Sequence, residues 1–401
     1  RAGPVVLALP EDVLSEAVSA PPQPEPAIAA GAAPRAADLE VLSAMLASAS
    51  RPLLIIGGSG WNSQGCKAVT EFAQRNAVPV VASFRRQDLI DNRHENYCGH
   101  LGLGVDPNLA ERVKSADLIV AIGSRLGENT SSGYSLLEVP VPRQALVHVH
   151  PDPNELGRVY QPRLAVACSL SEFGYALSGV ELPKDAQRIG WLREAREAYV
   201  RFSTPATSPN NQVDLAVVVA WLSEHLPDDA IISNGAGNYT VWVHRYFRYR
   251  RPRTGLAPTS GAMGYGVPAA IAAKLRYPER QVVAFAGDGC FLMYAQEIGT
   301  AVQHQANLVF IVVNNGMYGT IRMHQERRYP GRAVATNILS PDFVALAESY
   351  GAFAARVETT ADFAEAFQGA AVAGRPAVLE LRVDPAQLSP SVRLQGSPPQ
   401  S

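Results

Sequence analysis

Two polar clusters stand at the ends of apolar runs: Gly287-Asp288-Gly289 after Val282–Ala286, and Asn314-Asn315 after Leu308–Val313. The stretch between them has the length of one helix-and-strand crossover, and a right-handed crossover returns the second strand parallel to the first. Both tips then emerge at the same carboxyl edge of one sheet, the edge at which open α/β sheets take their ligands. One carboxylate, one amide oxygen and a backbone carbonyl just beyond Asn315 make an all-oxygen donor set. Hard divalent cations take such sets, and magnesium combines a few protein ligands with phosphate oxygens. Gly287 and Gly289 allow close approach of the main chain, and a helix opening near Cys290 would point free N–H groups at an anion. The cluster reads as a cradle for magnesium and a diphosphate. The plainer alternative is Asp288 capping a helix and Asn315 sitting in a turn; two well-placed strands and the double Asn favour the cradle.

The elements that must position these tips follow from periodicity. Residues 213–386 read as helix 213–226, strand 230–233, a Gly-rich segment, helix 265–275, strand 281–286, helix 296–304, strand 307–313, helix 342–350 and strand 377–383. Upstream, residues 38–180 alternate helical stretches with apolar strands at 52–56, 78–82, 116–122 and 145–149. Near-continuous apolar strands separated by helices predict parallel sheets covered on both faces. The fold class is therefore α/β, two open parallel-sheet domains joined by linkers, the first of them Rossmann-like. The Pro/Ala-rich residues 13–37 read as one linker and the polar, charged residues 181–212 as another. Residues 387–401 read as a loose tail. Gly3–Leu9 reads as a strand, and residues 1–12 as the end of a domain cut away.

Composition narrows the classes. The 401 residues suit two or three domains, and 47% apolar content can fill their cores. A net charge of −2 offers no field for nucleic acid or an acidic membrane surface. Cys66, Cys98, Cys168 and Cys290 lack C-x-x-C spacing, which argues against a zinc knuckle or a disulfide framework. No apolar run reaches the roughly 18–20 residues of a membrane span. With no signal-peptide pattern either, a cytoplasmic location is expected.

Gly287–Glu297 (GDGCFLMYAQE) followed by Val312-Val-Asn-Asn315 resembles the thiamine-diphosphate motif of the acetolactate synthase, pyruvate oxidase and benzoylformate decarboxylase superfamily. Ser260–Ala270 (SGAMGYGVPAA) resembles the segment that precedes it there. The similarity runs from about Gly3 to Val383, and within the superfamily the chain is similar to acetolactate synthase large subunits. The resemblance implies thiamine diphosphate and Mg2+ as cofactors, with Asp288, Asn315 and the main-chain oxygen of Met317 on the metal. It implies diphosphate contacts at Gly287, Gly289 and Cys290, a polar pair at Asn238 and Tyr239, and Tyr318 beside the metal loop. Met263 would wedge the cofactor, with Gly261 (its carbonyl) and Ala262 at the aminopyrimidine. It further implies a 2-oxo acid substrate and a homo-oligomer sharing its active site between subunits. A catalytic glutamate is expected from an N-terminal pyrimidine-binding domain whose last strand Gly3–Asp12 resembles. On that reading the 401 residues alone bind the cofactor weakly and do not turn it over.

The pattern also departs from the family. A Gln-Trp pair that selects the acceptor is replaced by Met323 and His324, and an Arg-Phe-Asp-Asp stretch that helps hold flavin by Arg125-Leu-Gly-Glu128. His324 is a candidate proton donor or specificity residue, set against an ordinary exposed histidine. Gly57-Gly58-Ser59-Gly60 suggests a nucleotide turn without a completed fingerprint, leaving FAD open. His148 and His150 share one strand face and read as structural. The Arg-rich run His244–Arg253 reads as a solvated helix end or a subunit contact. The leading function is decarboxylation of a 2-oxo acid with carboligation to a second carbonyl. The alternatives are a simple 2-oxo acid decarboxylase of the benzoylformate or indolepyruvate type, or a non-catalytic nucleotide-binding module.

Overall fold

The structure, a computed structural model, describes residues 5–19, 25, 30–206 and 212–394. Six parallel strands form the first sheet: β1 (Pro52–Ile56), β2 (Val80–Ala82), β3 (Tyr97–His100), β4 (Leu118–Ile122), β5 (Ala145–His150) and β6 (Leu164–Ala167). Their order is β3-β2-β1-β4-β5-β6, so the chain reverses direction across the sheet between β1 and β4. The second sheet holds β7 (Ile231–Asn234), β8 (Gly255–Leu256), β9 (Val282–Gly287), β10 (Val309–Asn314), β11 (Phe353–Val357) and β12 (Ala377–Arg382). It is also parallel, in the order β11-β12-β10-β9-β7-β8. The two open parallel-sheet α/β domains expected from the sequence are both present. The strands not expected (β3, β6, β8 and β11) are short or lie at the sheet margins, where apolar runs are weak.

The apolar strands are buried on both faces because successive side chains enter different cores. Leu54, Ile56, Val80 and Val120 pack in one core, and Leu53, Ile55, Val81 and Ile119 in the other. The helix Ser63–Arg75 starts where the Asn62 side chain accepts from the Gly65 N–H at 2.7 Å, and it buries Cys66, Val69, Phe72 and Ala73 on one stripe.

Three segments depart from expectation. Residues 181–212 contain a 17-residue helix, Ala186–Phe202, docked on the first sheet. Its inner stripe is Arg188, Trp191, Ala195, Ala198 and Tyr199, and it binds by bonding backbone as well as by packing. The Trp191 indole N–H donates to the Pro52 carbonyl at 2.9 Å, and Arg196 Nη1 donates to that of Tyr97 at 2.7 Å. The strand expected at Gly3–Leu9 is absent over its described part. Val5 and Val6 are 93% and 92% exposed and pair with neither sheet, and an extended run without a neighbour is no strand. The tail is not loose at its start. Gln387–Ser389 (β13) and Val392–Arg393 (β14) form an antiparallel hairpin, with Leu388 buried and Arg393 paired to Asp384 at 2.7 Å. Residues 20–24, 26–29 and 395–401 of the expected linker and tail lie outside the described residues.

Candidate active site

Register sets the two polar tips side by side: Val313 lies opposite Gly287, so Asp288 and Asn314 leave the sheet at the same level. Asp288 opens the one-turn helix Asp288–Phe291 and is buried. Its carboxylate accepts from the Gly289 N–H at 2.8 Å and from the Ser340 hydroxyl at 3.4 Å. Burial pushes this carboxyl up, and the N–H groups of Gly289, Gly316 and Met317 with the Ser340 hydroxyl pull it back. A largely desolvated carboxylate met by neutral donors is a place where a cation is stabilising.

Beyond β10 the chain turns at Gly316, whose φ of +68° suits glycine. Asn315 Oδ1 accepts from the Met317 N–H at 3.2 Å, and the Met317 carbonyl accepts from the Gly319 N–H at 2.9 Å. Residues 336–338 brace this turn from outside. Tyr318 N–H donates to the Thr336 carbonyl and Ile338 N–H to that of Gly316, both at 2.8 Å. Asp288, Asn315 and Met317 all line one cavity of ≈ 390 Å³. Asn238, Tyr239, Met263, Gly287, Gly289, Cys290 and Tyr318 line it too, so most of the expected set converges there.

The walls are held by specific ties. Asn238 Oδ1 accepts from the Thr320 hydroxyl at 2.9 Å, and its amide lies 3.6 Å from the Met323 sulfur. The buried Cys290 Sγ accepts from the Gly264 N–H at 3.2 Å and from the Tyr239 hydroxyl at 3.5 Å. A Cβ on Gly289 would lie 2.5 Å from the Tyr318 ring, so that glycine lets the ring close over the tip. Gly261 and Ala262 do not reach the cavity; they are exposed on the loop that leads to Met263. His324 stands exposed on the helix Gly319–Arg328 and does not line the cavity.

Several contributors were not read from the sequence. Glu380, fully buried in the middle of β12, accepts from Asn314 Nδ2 at 2.7 Å and Arg356 Nε at 2.9 Å and is ion-paired with Arg382 Nε at 2.8 Å. A carboxylate in the middle of the apolar run AVLEL is the signal that marked it. Ser340 bridges Asp288 Oδ2 and Asn314 Oδ1 at 3.4 Å each, and nothing local in the sequence announces it. At its far end the cavity meets Asp214, Leu215 and the β13–β14 hairpin.

The other sequence signals resolve as structure. Three of the five arginines of His244–Arg253 bond within the chain, while Arg251 stays exposed. Arg245 Nε donates to the Phe202 carbonyl at 2.7 Å, Arg250 pairs with Asp228 at 2.9 Å, and Arg253 reaches the Trp61 carbonyl at 3.2 Å. His148 Nε2 bonds the Ser124 carbonyl at 2.8 Å. Among the described residues no group of three or more His, Cys, Asp or Glu is placed to hold a metal. The Gly57–Gly60 turn closes on the chain itself. A Cβ on Gly58 would lie 2.3 Å from the Gly123 carbonyl oxygen, and the buried Trp61 donates its indole N–H to the Gly57 carbonyl at 2.8 Å. Among the described residues no helix is long and apolar enough to cross a membrane.

Such a sheet edge, with oxygen donors from neighbouring tips on one cavity, defines a ligand-binding α/β protein of the open-sheet class. Comparison with known families gives the particular one. The profile described as "Thiamine pyrophosphate enzyme, C-terminal TPP binding domain" matches residues 235–381, and "Thiamine pyrophosphate enzyme, central domain" matches 39–177. The chain belongs to the thiamine pyrophosphate enzyme family, of which it carries the central and C-terminal domains. It is 28% identical over 409 aligned residues to the acetolactate synthase large subunit of Corynebacterium glutamicum, covering 98% of this chain and 64% of that one. It is 29% identical to the acetolactate synthase large subunit of Parasynechococcus marenigrum, over 88% of this chain and 58% of that one. Against the Escherichia coli acetolactate synthase isozyme 2 large subunit the identity is 25%, over 79% and 56%. The chain spans less than two thirds of the length of these relatives.

Proposed function

We propose that the chain binds thiamine diphosphate with magnesium at the β9–β10 edge. On this reading it serves an enzyme that decarboxylates a 2-oxo acid and joins the remaining acyl unit to a second carbonyl compound, as the relatives' names suggest. The supporting observation is the convergence of Asp288, Asn315 and Met263 on one cavity. The donor set fits magnesium: one buried carboxylate, one amide oxygen and one main-chain carbonyl, all hard oxygens. Asp288, Asn315 and the Met317 carbonyl would hold the metal. The N–H groups of Gly289 and Cys290 would take the diphosphate, with Asn238 and Tyr239 beside it and Met263 against the body of the cofactor.

Thiamine diphosphate, when bound, supplies a centre that adds to the 2-oxo carbonyl and takes up the electron pair left as carbon dioxide departs. The chain's own part is to fix that group and to keep water out, through the apolar flank of Met263, Tyr239 and Trp242. A second copy of the chain belongs to the same reading. Met293, Tyr294 and Ile321 remain 45%, 44% and 50% exposed, apolar surface of the kind that subunits cover. Thermal-shift titration with thiamine diphosphate and magnesium, against NAD and FAD, tests the cofactor. Stabilisation by the dinucleotides alone would reverse the assignment. A product assay with pyruvate on the full-length protein separates carboligation (acetolactate) from simple decarboxylation (acetaldehyde).

A further inference from the structure

Arg85 follows β2 in the first sheet, yet its guanidinium is spent on the second domain. The residue is buried, with Nη1 donating to the Pro258 carbonyl and Nη2 to the Gly235 carbonyl at 3.1 Å. Its backbone stands at φ +58°, a region that residues other than glycine seldom occupy, and its guanidinium lies 4.8 Å from the Phe84 ring centre. The two carbonyls belong to separate loops of the cavity. Gly235 opens the loop that ends in Asn238 and Tyr239, and Pro258 opens the one that leads to Met263. Within the second domain those loops meet through the Cys290 sulfur, which receives Tyr239 from one and Gly264 from the other. Arg85 ties the same two loops together from across the domain boundary.

We infer that Arg85 is a positioning residue: it sets the spacing between the Gly235–Tyr239 and Pro258–Met263 loops and so pre-shapes the cofactor cavity. A guanidinium is planar and carries its donors in a fixed fork, which suits two carbonyls at a set separation. Burying such a charge is costly, and the left-handed backbone adds to the cost. Both are offset only if the two loops are held. The geometry stands without any ligand; the consequence for affinity rests on the thiamine diphosphate reading above.

The test uses the 401-residue chain with Arg85→Met, Arg85→Lys and Arg85→Ala. Amide hydrogen exchange without cofactor is the first readout. Arg85→Met is expected to speed exchange at residues 235–239 and 259–264 by about tenfold or more, with β9 and β10 unchanged. Unchanged exchange in both loops, or uniform acceleration across both sheets, would overturn the inference. The second readout is thiamine diphosphate and magnesium binding, measured by calorimetric titration. Arg85→Met should weaken it about tenfold and Arg85→Lys less, and free guanidinium should restore part of the loss in Arg85→Ala. Should the unaltered chain fail to bind the cofactor even with an N-terminal pyrimidine-binding domain supplied, the functional reading falls while exchange still decides the role of Arg85. If Arg85→Met does not fold, Arg85→Lys and the guanidinium rescue decide it.

Discussion

Asp288 brings a formal charge into a site that burial has stripped of water, and neutral donors hold it there. A carboxylate in that setting works against the unliganded fold and for a bound cation. Asp288→Asn should therefore weaken magnesium-dependent thiamine diphosphate binding by about a hundredfold, the loss of a charged ligand. It should leave the unliganded thermal midpoint unchanged or raised. Calorimetric titration and a melting curve on the same sample check both halves. A midpoint that falls along with affinity would mean the carboxylate serves the fold. Asp288 and Asn315 were legible because each ends an apolar run, so strand and tip could be read together. Glu380 was visible as a charge in an apolar strand, but its task was not: only the pairing of β12 with β10 brings it to Asn314. Ser340 arrives from a loop whose path no local pattern encodes.

At the scale of elements, the helix Gly266–Arg276 sits against the end of β7 closely enough that a side chain is excluded. A Cβ on Gly266 would lie 2.7 Å from the Gly235 nitrogen and 2.8 Å from the Asn234 carbonyl carbon, and backbone cannot step aside as a rotamer can. Gly266→Ala should cost about 1–3 kcal/mol of stability, the usual range for overpacking. It should also weaken cofactor binding, because Gly235 leads into the Asn238–Tyr239 wall. Urea denaturation and the titration above measure both; full stability would show that the helix can shift outward freely. The elements expected in the second domain fell within two residues of their bounds, since apolar period and glycine punctuation agree there, though the helices Tyr239–Tyr246, Gly319–Arg328 and Phe363–Val372 were not expected. Nor was the helix Ala186–Phe202. Its docking face uses Arg188, Trp191 and Arg196 to bond carbonyls of the first domain, and such a face is polar in sequence. The hairpin Gln387–Arg393 escaped for a related reason, being held by one buried leucine and an ion pair.

Across the whole molecule, the two domains meet over a pair of buried histidines. His100 ends β3, His244 lies in the helix Tyr239–Tyr246, and their rings are 5.7 Å apart. His100 Nε2 and His244 Nδ1 have no partner among the described residues. Burial pushes His100 down to about 4 and His244 well below its ordinary range, where His100 and Arg85 push it further. Both rings are thus neutral in the folded chain, whereas the unfolded chain takes up protons near pH 6.5. The unfolded state binds more protons below that value, so stability should fall as pH drops from 6.5 toward 4. Replacing both histidines by leucine should flatten this slope in urea midpoints; an unchanged slope would assign it to other groups. A second long-range effect follows from the bracing of the Gly316–Tyr318 turn by residues 336–338. The exposed arginines 327, 328 and 332 lie on the chain between that turn and its brace. Trypsin can therefore serve as a gauge of occupancy. Whatever stiffens the turn from within should also quieten the outer loop, and cofactor with magnesium should slow cutting there while leaving nicks in the first domain at their former rate.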